Sequence, residues 1–166
     1  MNASGASLAA FVALALALAA AVVPWPGGGA AAQVFATLLP ALVIHYWTLR
    51  GSDGLPVGVA FAAGLVVDVL SGGPLGFWAL VYVAAWLAAR LSQPWRDSTP
   101  LGRWALTALA IAGVVAIAWA VASLWLGRPG PIEDLALGGL WAGLLYPLLA
   151  APLRLLAGPA PRFVEV

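Results

Sequence analysis

Every residue from Leu8 to Val23 is apolar. Five comparable runs follow: "AAAQVFATLLPALVIHYWTL" (30–49), "PVGVAFAAGLVVDVLS" (56–71), "LGFWALVYVAAWLAARLS" (75–92), 104–126 and 134–157. Short stretches rich in Gly, Pro and Arg part them. A helix that crosses a bilayer needs about 20 apolar residues, with a range of about 17–25. The runs therefore predict six spans, at about 7–24, 30–49, 56–71, 75–92, 104–126 and 134–157. The third is short. In lipid the backbone must satisfy its own hydrogen bonds, which leaves helices and closed barrels. The alternation of polar and apolar residues that marks a barrel strand is absent. The expected fold is an all-α membrane protein, a bundle of six transmembrane helices forming one integral membrane domain over residues 1–166. Pro40 and Pro147 fall inside the second and sixth helices and are expected to kink them, which bundles tolerate.

Composition narrows the function. Hydrophobic residues make up 64% of the chain and charged residues 8%, against about 45–50% and about 25% in soluble domains. All the basic residues are Arg and the formal net charge is +1. A nucleic-acid partner would need a basic stripe, and none is present. With no Cys, disulfides, thiol catalysis and thiolate metal sites are excluded. The single His45 cannot build a multi-histidine metal site, and nothing calls for a cofactor. No Arg or Lys precedes the first apolar run, so a retained span is expected there in preference to a cleaved signal.

Arg placement sets the expected orientation. Arg50, Arg90, Arg96, Arg103, Arg154 and Arg162 fall on one side of this topology, and Arg128 on the other. The positive-inside rule then puts both termini in the cytoplasm. Tyr46, Trp47, Trp95 and Trp104 would line the inner interface, and Trp25, Trp78 and Trp125 the outer one, as simple anchors.

One charged residue needs a separate account. Asp68 lies inside "GLVVDVLSGGPLG" (64–76), where a carboxylate costs about 2.5–3.5 kcal/mol at a helix centre and less near an interface. It sits about one turn from the outer end of the third helix. Ala60, Gly64 and Asp68 share one helix face, and small residues let another helix approach closely. The carboxylate is expected to point into the bundle. Ser-Gly-Gly-Pro then makes a tight turn, with Gly free to adopt positive φ and Pro74 suited to open a helix. Asp68 could bind a proton, an ion or a substrate. Alternatively it hydrogen-bonds a neighbouring helix or caps backbone amides in the 71–76 turn, and this reading is preferred. A proton relay needs a second intramembrane titratable group, and His45 belongs at the opposite end of its helix. Gly139 and Gly143 form a GxxxG pattern, a candidate face for a partner helix. Hydrolase and metalloprotease signatures are missing, so no enzyme is expected.

Three stretches carry a family resemblance: "PWP" (24–26), Pro40 followed by "IHYWTLR" (44–50), and "VGVAFAAGLVVDVLSGGPLG" (57–76). In these the chain resembles the MreD family of bacterial rod-shape-determining membrane proteins. Asp68, Ser71, Gly72 and Gly76 are motif positions, with Gly64 upstream of them, and no catalytic role comes with them. The second half matches in hydropathy alone. The resemblance implies a non-enzymatic component of the cell-elongation machinery in the bacterial inner membrane. Direct binding to MreC would link it to MreB filaments and to the RodA polymerase with its transpeptidase partner, supporting peptidoglycan synthesis. The family fold looks similar to the substrate-binding subunits (S-components) of energy-coupling-factor vitamin transporters, so a small-molecule transport subunit is the alternative expectation.

Overall fold

The computed structural model describes residues 3–25, 27–51, 55–95, 98–130 and 132–157. Pro26, Arg96 and Arg162 lie outside the described residues. The elements are α1 (Ala3–Val22), α2 (Gly29–Arg50), α3 (Val57–Ser71), α4 (Phe77–Ser92), a 3₁₀ turn (Gln93–Trp95), α5 (Pro100–Leu126) and α6 (Ile132–Ala157). No strand occurs among the described residues. Gly29–Arg50, Pro100–Leu126 and Ile132–Leu156 are long and apolar enough to cross a membrane, while Ser7–Val22 and Val57–Ser71 are shorter apolar helices. At 1.5 Å per residue, the 15 residues of α3 extend only about 22 Å. The fifth helix begins at Pro100, ahead of its apolar run. The Thr99 side chain accepts a hydrogen bond from the Gly102 N–H at 3.1 Å, and Pro100 occupies the first turn, where its missing N–H costs nothing.

Helix α2 is the hub, with α1, α4 and α6 packed around it. From Ala36 to Thr48 almost every residue is buried, as expected of a helix apolar on all sides. This corrects the interfacial placement of Tyr46 and Trp47, which are 6% and 5% exposed. They face neighbouring helices because α2 is enclosed.

Cross-links fix helix directions. The Tyr82 hydroxyl donates to the Thr37 carbonyl and Gln93 Nε2 to the Thr48 carbonyl, each at 2.8 Å and each 45 residues apart. Helices α2 and α4 therefore run parallel. Gly138 faces Val34, and the Tyr146 ring stands edge-on to His45 at 6.5 Å, so α6 also runs parallel to α2. Gly139 faces Val115 and Tyr146 faces Thr107, which makes α5 antiparallel to α6. The C-terminal ends of α2, α4 and α6 thus gather with the start of α5. This end holds Arg50, Arg90, Arg103 and Arg154. The opposite end holds Asp68, Glu133, Asp134 and Arg128.

The packing is small inside and bulky outside. On α1, Ala10, Ala13, Leu14, Ala17 and Ala21 are buried, while Leu8, Phe11, Val12 and Leu16 are exposed. On α3, Ala60, Ala63, Gly64, Val67 and Asp68 face inward. Val57, Phe61, Val66, Val69 and Leu70 face outward. Water would penalise such an arrangement; lipid does not, and small residues allow close helix approach.

Of the prolines inside helices, Pro40, Pro147 and Pro152, one has its orphaned carbonyl met by a neighbouring helix. Pro40 cannot donate to the Ala36 carbonyl; the Tyr82 hydroxyl binds a different carbonyl, that of Thr37. Pro147 leaves the Gly143 carbonyl without its helical donor, and the Trp104 indole N–H supplies one at 3.1 Å. Trp104 thereby ties α5 to α6, in addition to any interfacial role. Trp104→Phe is expected to keep the fold while lowering stability by about 1 kcal/mol, the usual net value of a hydrogen bond. Thermal unfolding in detergent measures this.

Candidate functional site

The motif residues Gly64, Asp68, Ser71, Gly72 and Gly76 meet in the α3–α4 hairpin. Helix α3 ends because Gly72 adopts a left-handed conformation, φ 66°, that residues with a Cβ rarely take. Gly76, φ 94°, turns the chain again and opens α4. Between them the chain reverses direction, and the α4 N-terminus comes down beside Asp68.

That N-terminus presents backbone N–H groups with no partner inside their own helix. Asp68, 1% exposed, receives them. Oδ2 accepts from the Gly76 N–H at 2.8 Å and, more weakly, from the Ala79 N–H at 3.4 Å. Oδ1 accepts from the Trp78 N–H at 2.8 Å. A carboxylate at this position is also stabilised by the positive end of the helix dipole. The short bonds are charge-assisted. Ser71 Oγ donates to the Asp68 backbone carbonyl at 3.4 Å and closes the last turn of α3.

Gly64 makes this approach possible. A Cβ there would lie 2.2 Å from Ala79 Cα and 2.3 Å from Ala79 N. The two helices touch backbone to backbone, with Ala60 and Ala79 fully buried around the contact. Asp68 thus reaches the α4 amides because a glycine one turn earlier removes the intervening atoms. Both carboxylate oxygens already face donors.

The two glycines on α6 part company. Gly139 packs on α5, where an added Cβ would lie 2.6 Å from Val115 Cγ2. Gly143 has nothing within 4 Å of that position. Of the expected partner face, Gly139 is occupied internally and Gly143 is open. Gly138, which the GxxxG spacing does not single out, makes the contact with Val34 on α2.

His45 lies toward the other end, 3% exposed, with Nδ1 3.5 Å from the Ala85 carbonyl and Nε2 without a partner. It borders a cavity of about 10 Å³ with Leu38, Ala41, Ala85 and Ile111, room for about one water. No group of three or more His, Cys, Asp or Glu that could hold a metal occurs among the described residues.

Sequence reasoning missed the Trp104–Gly143 and Tyr82–Thr37 links. For the Trp104 link the signal was available: Pro147 orphans the carbonyl four residues back, which a donor from a neighbouring helix can meet.

No curated protein and no solved structure gives a significant match to the chain. The family model described as rod shape-determining protein MreD matches residues 1–156, all but the C-terminal tail. That match spans every helix and the whole Asp68 hairpin, and the chain belongs to the MreD family, membrane proteins of rod-shape determination.

Proposed function

We propose that this protein is a non-enzymatic scaffold of the rod-shape machinery. In this reading it crosses the bacterial inner membrane six times with both termini in the cytoplasm. It binds MreC directly and supports peptidoglycan synthesis through it, with MreB, RodA and the transpeptidase partner engaged indirectly. The family match over residues 1–156 carries the reading. The hairpin supports it: Asp68, the one buried carboxylate among the described residues, is engaged by three backbone amides, as a structural clasp would be. The alternative, a substrate-binding transport subunit, calls for a pocket of about 300–1,000 Å³. The cavity beside His45 is far smaller. A small molecule copurifying in stoichiometric amount would favour the transport reading.

Topology is tested by cysteine labelling, which this Cys-free chain allows directly. Leu101→Cys is expected to react only from the cytoplasmic side and Arg128→Cys only from outside. The reverse pattern refutes the orientation.

The partner test uses the open position on α6. Gly143→Leu is expected to leave the protein inserted and monodisperse in detergent but to weaken MreC copurification several-fold. Unchanged recovery would remove this face as the MreC contact. Failure of the wild-type chain to recover MreC at all would overturn the scaffold reading itself.

A further inference from the structure

Helix α3 is shorter than the bundle it belongs to. It has 15 residues against 22 in α2, a shortfall of seven residues or about 10 Å. The contacts place that shortfall at the basic end. Gly64 meets Ala79 and the two helices run antiparallel, so Val57, seven residues before Gly64, stands level with Trp86, seven residues after Ala79. The Trp86 indole N–H donates to the Leu55 carbonyl at 2.9 Å, which agrees. Trp86 in turn lies between Tyr82, tied to Thr37, and Gln93, tied to Thr48. Helix α3 therefore begins level with about Ala41–Ile44 of α2, roughly 9–13 Å short of Arg50. Pro56 fixes that start. It biases Leu55 away from helical geometry, and its own backbone is extended, ψ 149°.

The start of α3 is built for water. The amides of Val57 and Gly58 have no acceptor inside their own helix, and no side chain caps that end. Both residues are exposed. Hydrocarbon would leave these amides unsatisfied, whereas water would not. Arg90, exposed in the last turn of α4, is a second and independent sign. Its guanidinium lies over the Trp86 ring at 5.2 Å, one turn back along α4 and away from the basic end. An arginine reaching for water at the level of Arg50 would extend the other way. Amphipathic indoles and arginines belong at a headgroup boundary.

We infer that the protein thins the inner leaflet along α3, with water and lipid headgroups rising to the Leu55–Val57 end of the helix, about 10 Å above their level at Arg50. A bilayer beside a span shorter than its hydrocarbon core, about 30 Å thick, thins to meet it. The deformation is one-sided, because α5 and α6 have 27 and 26 residues and impose no such shortening. The inference rests on the six-span reading with the basic end in the cytoplasm.

Cysteine accessibility in inverted membrane vesicles carrying the full-length chain tests this, with a charged, membrane-impermeant maleimide as the probe. A thiol reacts as its thiolate, which hydrocarbon suppresses. Val57, 43% exposed, is compared with Leu148, 70% exposed on α6. Gly138 opposite Val34 and Tyr146 beside His45 put Leu148 level with Val57 or nearer the basic end. A flat inner leaflet therefore requires Leu148→Cys to react at least as fast as Val57→Cys. With the leaflet thinned along α3, Val57→Cys is expected to react several-fold faster, while both variants elute as wild type on size exclusion. Phe61→Cys, one turn deeper on the same exposed face, is expected to stay slow. Val57→Cys reacting no faster than Leu148→Cys overturns the inference. So does Phe61→Cys reacting as fast as Val57→Cys, which would mean an aqueous cleft along α3. Reaction of Val57→Cys from the outer face alone, in right-side-out vesicles, would overturn the six-span reading and the inference with it.

Discussion

Asp68→Leu is expected to abolish the α3–α4 hairpin and with it a stably folded protein. The substitution leaves the amides of Gly76, Trp78 and Ala79 without acceptors, that of Ala79 in a buried bond and the other two in partly buried ones. Each buried unsatisfied group costs about 1–3 kcal/mol. Three together rival the whole stability of a typical domain, about 5–15 kcal/mol. Asp68→Asn is expected to fall between wild type and Leu, for a geometric reason. Both carboxylate oxygens accept, and an amide keeps only one acceptor. Its carbonyl can serve Trp78, while its NH₂ then meets the Gly76 and Ala79 N–H groups, donor against donor. The measurement is thermal unfolding in detergent, followed by size exclusion and by MreC copurification. If Asn and Leu variants fold like wild type and both lose function, the carboxylate acts through its charge and the clasp is not its role.

Gly64→Ala is expected to destabilise the same hairpin by an amount at or above the usual 1–3 kcal/mol range for overpacking. Most overpacked sites relax by moving a side chain. Here the new methyl would meet the Ala79 backbone at 2.2 Å, so a helix must move instead. Moving α4 outward also lengthens the bonds from Asp68 to Trp78 and Ala79. The two substitutions therefore act on one contact. Gly64→Ala combined with Asp68→Asn should cost less than the sum of the single changes, as a double-mutant cycle in thermal stability will show. Gly113→Ala is the control. Its Cβ position is open, so it should be neutral or slightly stabilising through helix propensity. Equal effects at Gly64 and Gly113 would mean that the helices do not meet at Gly64.

The hydropathy of the sequence set the solvent and the number of helices, because a twenty-residue apolar run is a local property that no tertiary contact can reverse. It also placed Asp68 on the face shared with Ala60 and Gly64, since helical spacing alone decides which residues share a face. Arginine placement separated the two ends for the same reason. What it left open was the partner of each polar group. Asp68 binds backbone amides eight to eleven residues away, and a backbone amide has no identity in a sequence. The roles of Tyr46 and Trp47 turned on which helix becomes the hub. Amphipathic aromatics read equally well as interfacial anchors until α1, α4 and α6 are seen to enclose α2. The GxxxG pair on α6 marked two small residues with no direction attached. Only the helix packing shows that Gly139 meets Val115 and that Gly143 stays open. Trp104 reached the carbonyl orphaned by Pro147 across thirty-nine residues of chain. That link depends on the relative height of two helices, which their packed side chains decide and their hydropathy does not.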